Sequence, residues 1–225
     1  MSMRRCAPIP ALLVACASIG PVPRDPVSPE PAPSTKRRAQ ERAERGSRSR
    51  VGDYVVYRYE GAYTKHPVVL RERILEKNVF RLVIEVDAER GSERRRWIQV
   101  VIDTPENRAN NVVDELYEVK DGKRERLENT NNLELLRLYE WTLPPCEGGG
   151  QAAGETELAL SVAGARFSCV CKEALVDCAK KPSRLETCEC PEFVWTHAGG
   201  EARAQGDAEL IWKVSVERFG NAKER

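Results

Sequence analysis

Histidine is almost absent from this chain, with only His66 and His197 among 225 residues. Neither stands at metal-ligand spacing from another donor. His66 precedes Pro67 and His197 precedes Ala198-Gly199-Gly200, so both read as exposed loop residues without a base or ligand role. Serine-nucleophile elbows, the His-Glu-x-x-His helix motif and the acidic calcium loop are also missing. No stretch approaches the ~18 continuous apolar residues of a membrane-crossing helix. No repeat of fixed period is visible. No cofactor is implied, and the sequence names no reaction.

Charge of one sign is lacking too, since the formal net charge is +1. That balance hides an asymmetry. Residues 16–50 hold eight Lys/Arg against four acids, whereas the remainder of the chain is net acidic. An acidic body argues against nucleic acid as a partner. The basic segment suits anionic lipid or lipopolysaccharide phosphates, or serves simply as a charged, soluble linker.

What is present begins with Leu13-Val14-Ala15-Cys16. Arg4 and Arg5 precede a short apolar segment that ends on these four residues, as in a secretory signal. The stretch resembles the lipobox of bacterial lipoproteins: aliphatic, small or aliphatic, Ala, Cys. The resemblance implies that residues 1–15 are a signal peptide and that Cys16 becomes a lipidated first residue. Several acyl chains on one cysteine, at about 0.8 kcal/mol per buried methylene, hold a protein at a membrane where one chain does not. Ala17, rather than Asp, follows the cysteine, which in that family points to the outer membrane. An ordinary cleaved signal peptide and an unstructured cytosolic N-terminus remain the plainer alternatives. Pro21, Pro23, Pro26, Pro29, Pro31 and Pro33 then make an extended spacer, so residues 16–50 read as a Pro-rich and basic tether.

The body is expected over 51–221, with a tail at 222–225. It is mainly β: a single antiparallel meander forming an open barrel or curved sheet. Alternating or β-branched runs predict strands over 53–59, 68–75, 80–87, 95–103, 112–119, 123–127, 156–162, 165–175, 185–195 and 208–216. Asp121-Gly122 marks a tight hairpin. Leu135, Leu138 and Tyr139 fall at helical spacing after Asn132, a candidate cap, so one short helix is expected near 132–142, ended by Pro144-Pro145. Gly148-Gly149-Gly150 reads as a loop without the Lys of a phosphate cradle.

Eight cysteines are present. Cys6 leaves with the signal and Cys16 is the lipidation candidate. Cys146, Cys169, Cys171, Cys178, Cys188 and Cys190 remain, an even number that reads as disulfides in an exported chain. Cys169-Val170-Cys171 and Cys188-Glu189-Cys190 lie on predicted strands, where residues two apart share a face. An antiparallel hairpin pairs residues whose numbers share one sum. Cys169 with Cys190 and Cys171 with Cys188 satisfy a single register centred on Ala179-Lys180. Opposed Cα atoms there lie roughly 4.5–5.5 Å apart, within reach of a disulfide. Cys146 and Cys178 are left for each other. A tetrathiolate zinc site is the competing reading, but zinc sites favour wider Cys spacing. No Cys-x-x-Cys redox pair exists.

Other candidates are bland. Asp103, Glu106, Asn107, Asn110 and Asn111 crowd one loop, as calcium ligands or as a plain polar turn. Arg94-Arg95-Arg96 beside Trp97 suits a sugar or phosphate, or a solvated strand start. Trp97, Trp141, Trp195 and Trp212 read as core.

The body also resembles uncharacterised lipoproteins of myxobacteria-like genomes. Gly52-Asp53-Tyr54-Val55-Val56-Tyr57, the expected Gly199-Gly200-Glu201 turn and the strand from Trp212 to Phe219 carry that likeness. At fold level the plan is similar to half-barrels that ferry lipoproteins across the periplasm, an analogy that transfers no function. The reading is a lipid-anchored envelope protein with a non-catalytic binding or assembly role, whose partner is an envelope protein or an apolar ligand. A carrier of an apolar ligand or acyl chain in a concave sheet is the first alternative, and a carboxylate-dependent hydrolase the second.

Overall fold

The computed structural model describes residues 49–102, 112–128, 132–206 and 208–222. Cys16, the tether and the oxygen-rich loop from Asp103 to Asn111 lie outside the described residues.

Eleven antiparallel strands make one sheet: β1 (Asp53–Glu60), β2 (Val68–Lys77), β3 (Arg81–Arg90), β4 (Glu93–Ile102), β5 (Glu115–Lys120), β6 (Lys123–Leu127), β7 (Cys146–Val162), β8 (Ala165–Cys178), β9 (Lys181–Glu189), β10 (His197–Ala204) and β11 (Leu210–Asn221). One helix, α1 (Leu133–Tyr139), intervenes between β6 and β7. The spatial order is β6-β5-β4-β3-β2-β1-β11-β10-β9-β8-β7. Chain neighbours are therefore sheet neighbours except where α1 intervenes, and the first and last strands zip together mid-sheet. The sheet stays open, with β6 and β7 as its edges.

Period-two patterning puts one face inward. Val55, Tyr57 and Tyr59 of β1, Trp97 of β4, and Trp212 and Val214 of β11 join one buried cluster with Leu135 and Leu138 of α1. Strands from both halves of the sheet thus curve around the helix. A smaller cluster of Val83, Ile98 and Val100 lies on the opposite face, with Leu75, Tyr117 and Val119 against it. Arg73 and Arg96, both paired to Glu85, lie on the same strands beside it.

Several boundaries differ from the sequence reading. The expected strand 185–195 ends at Glu189, and Phe193 sits buried in a turn beyond it. The residues expected as a His197 loop and a Gly-Gly-Glu turn form β10 instead. A Cβ on Gly200 would meet Glu186 O at 2.6 Å, so bare glycine lets β9 run close beside it. Strand β7 begins ten residues before the expected start. Its register against β8 shifts between Glu147 and Gln151, which makes the triglycine an irregular part of the ladder rather than a free loop. Strand β5 starts at Glu115, later than expected, and Phe80 precedes β3 and is exposed. Asn132 stands at the helix N-cap with φ 59° and makes no side-chain cap hydrogen bond.

Candidate functional site

Strand alternation puts Val68, Leu70, Glu72 and Ile74 of β2 on the same inward phase. Three are buried aliphatics, and the fourth is a carboxylate. Glu72 faces Tyr139, the last residue of α1, whose hydroxyl donates to Glu72 Oε1 at 2.9 Å. Gln99 of β4 donates through Nε2 to that hydroxyl at 2.7 Å. Amide, phenol and carboxyl form a short relay between two strands and the helix end. Burial pushes the Glu72 carboxyl up to about 7, opposed by the Tyr139 hydrogen bond. Burial first, and the Glu72 charge second, raise the phenols of Tyr57, Tyr59 and Tyr139 well above the usual tyrosine value.

The helix end is clamped from several sides. Arg95 donates to Arg137 O at 2.9 Å and to Glu140 Oε1 at 2.7 Å. The guanidinium groups of Arg90 and Arg95 lie 4.3 Å and 4.0 Å from the Trp141 ring centre. Tyr63 donates to Trp141 O at 3.0 Å, and Trp212 Nε1 donates to Thr142 O at 3.1 Å. Trp97 meets Tyr139 edge-on with ring centres 4.9 Å apart.

His197 is not a loop residue. It opens β10 with its ring 5.9 Å from that of Tyr57, whose hydroxyl donates to His197 O at 3.2 Å. Burial lowers its pKa to about 4, with Glu189 pulling the other way. His66 is exposed, and its ring lies against Gly91. The arginine triplet is spoken for: Arg94 pairs with Asp87, Arg95 with Glu140, and Arg96 with Glu85. Trp97, Trp141 and Trp212 are core, while Trp195 is half-buried.

Three disulfides join Cys146 to Cys178, Cys169 to Cys190 and Cys171 to Cys188. Cys171 and Cys188 are direct partners in the β8–β9 ladder, whose turn is Ala179-Lys180. Cys146 and Cys178 pair in the β7–β8 ladder.

Chemically the relay is sparse. The hydrogen bond at Glu72 comes from the Tyr139 phenol rather than from a second carboxyl group. A surface hollow of about 300 Å³ lies away from the relay, lined by Arg50, Tyr54 and Trp195 among others. The relay escaped the sequence reading, though one signal was present: Glu72 sits in phase with Val68, Leu70 and Ile74, where an exposed acid does not belong.

No family model matches the chain, and no curated protein does. Among solved structures it is similar to the hypothetical protein CT021 of Chlamydia trachomatis, at 9% identity and TM-score 0.45 over 80% of this chain and 92% of that one. It is also similar to a protein of YmcC-like fold from Bacteroides fragilis, at 11% identity and TM-score 0.37 over 77% and 97%. The Pseudomonas aeruginosa MucA/MucB complex gives 9% identity and TM-score 0.43 over 84% of this chain and 57% of the other. At these values neither activity nor partner transfers.

Proposed function

We propose that the protein is a lipoprotein of the cell envelope, anchored through Cys16 and probing its surroundings as a non-catalytic binding or assembly body. The observation that carries this reading is that all six body cysteines stand in three disulfides, which suits an oxidising compartment. The Leu13-Val14-Ala15-Cys16 stretch supplies the anchor, and Ala17 favours the outer membrane. The partner is an envelope protein or an apolar ligand. The inner face is filled by α1 and the aromatic residues around it, which suits a body that works through its surface. A carrier of an acyl chain is the second reading. It would need α1, whose Leu135 and Leu138 are buried in the core, to leave the apolar face it fills.

The test is to express the full chain and its Cys16→Ser variant in a bacterial host, extract the envelope, and measure unreduced intact mass and detergent partitioning. The parent is expected to carry acyl mass, no alkylatable thiol and detergent-phase behaviour. The variant loses the acyl mass and moves to the aqueous phase. Identical mass increments and partitioning in the two proteins defeat the anchor.

A further inference from the structure

Seven large apolar side chains of the described residues are exposed, and four of them gather at one end of the sheet: Val79, Phe80, Ile102 and Val112. Val79 and Phe80 are the extreme cases, at 79% and 71% exposure. They form the tip of the β2–β3 turn. The turn itself is well made, because Asn78 Oδ1 accepts from the N–H of Phe80 at 2.9 Å and of Arg81 at 2.8 Å. Asn78 N–H also donates to Arg81 O at 2.9 Å. Nothing in that geometry requires apolar residues at the tip, where turns ordinarily carry polar ones. Ile102 pairs with Arg81 across the ladder, and Val112 leads into β5 beside it, so all four share one end.

The chain enters the body at the same place. Lys77 Nζ donates to Ser49 O at 2.8 Å and to Ser49 Oγ at 2.9 Å, which fixes the first described residue against the base of this turn. Resting on the anchored reading above, the 32 residues between Cys16 and Ser49 join the body at this end of the sheet. Charges here are mixed: Arg50, Lys77 and Arg81 stand with Asp53, Glu76 and Glu115, and Arg81 pairs with Glu115 at 3.8 Å. Attraction at this end is therefore apolar in origin. Two side chains on a turn fall far short of the ~800 Å² per partner of a stable protein interface. They suffice for shallow, reversible insertion at the headgroup–acyl boundary when lipid is in large excess, and in the anchored protein the tether adds effective concentration to that insertion.

We propose that Val79 and Phe80 insert into the phospholipid bilayer as a second membrane contact that orients the body at the root of its tether. The occupant is lipid, and the chemistry is transfer of a phenyl ring and an isopropyl group out of water, worth roughly a hundredfold in partitioning when both are covered.

The test uses the mature full chain carrying Cys16→Ser, so that no acyl chain is present, with vesicles of phosphatidylcholine alone, so that the basic tether finds no net anionic surface. This protein is expected to float with the vesicles, and to keep doing so in high salt, where charge attraction is screened. Val79→Ser/Phe80→Ser lowers the bound fraction at least about tenfold, in line with lost apolar transfer. In a second arm, Phe80→Trp places an indole at the tip, which brominated acyl chains quench more than they quench the native tryptophans. Equal flotation of the parent and the double variant, no flotation of either, or an unquenched new indole overturns the proposal. Because the protein tested carries no lipid, its result stands whether or not Cys16 proves to be acylated.

Discussion

Glu72 and His197 are two half-buried titratable groups whose displacements run in opposite directions. The folded protein holds the Glu72 proton up to about 7, against an ordinary value of 4.5. Between those values the folded state binds a proton that the unfolded chain has released, so Glu72 takes stability away as pH rises, and fully so above about 7. His197 is held neutral down to about 4, against 6.5 in the unfolded chain, so its stabilisation is complete above 6.5 and is lost as pH falls through about 4. The two slopes oppose each other over nearly the same window. Glu72→Gln keeps an acceptor for the Tyr139 hydroxyl and removes only one slope. The variant is expected to exceed the parent by about 2–3 kcal/mol at about pH 8, and to match it at about pH 4. Urea unfolding followed by tryptophan fluorescence reads both. A gain that is the same at every pH shows that the Glu72 carboxyl is not displaced. Glu72 was legible in the sequence only as an acid in an aliphatic phase; its partner was not, because Tyr139 reaches it from the end of α1, and Gln99 reaches that phenol from β4.

Among the elements, the strongly alternating strands and the short helix were legible, and the glycine-bearing ones were not. Local chemistry reads Ala198-Gly199-Gly200 as a turn, since glycine weakens a strand. Tertiary contact overrides that preference. A Cβ on Gly200 would lie 2.6 Å from Glu186 O and 3.3 Å from Thr187 Cα, so the absence of a side chain is what lets β9 and β10 pair. Gly150 of β7 obeys the same logic, since a Cβ there would lie 2.4 Å from Val176 Cγ1 and 3.0 Å from Leu175 O. Such needs are invisible without the neighbouring strand. The paired Cys-x-Cys runs behave differently, because their shared register can be written from residue numbers alone. Gly200→Ala is expected to cost about 1–3 kcal/mol, since backbone rather than a flexible side chain must give way. Gly154→Ala, where the nearest atom is Glu173 Oε2 at 3.7 Å, is expected to stay within about 0.5 kcal/mol of the parent. Denaturant midpoints compare the two, and equal costs contradict the close-approach account of β10.

For the whole molecule, the decisive pairing joins its first and last strands. Tyr57 lies opposite Val216, and Tyr59 opposite Val214, more than 150 residues away along the chain. Period-two patterns say which face a strand buries, not which strand it neighbours, so this junction was not legible from the sequence. It binds the β1–β6 half to the β7–β11 half, and all three disulfides lie in the second. The first half therefore has no covalent staple of its own among the described residues. Its inner face is completed from the far half by Trp212, whose ring centre lies 6.2 Å from that of Tyr59. Ile211, Trp212, Val214 and Val216 are all buried, at about 1.5–3 kcal/mol each. Their sum rivals the 5–15 kcal/mol total stability of an ordinary domain, roughly speaking. Ending the chain at Glu209 should consequently unfold both halves, not just remove an edge. Trp97 and Trp141 report on this, because neither belongs to β11 and both are buried. Their fluorescence is expected to shift to the solvent-exposed maximum, with loss of near-ultraviolet circular dichroism, even with the disulfides intact. Native-like emission from a chain lacking β11 would show that β1–β6 and α1 stand alone, and that the β1–β11 junction joins two independent bodies.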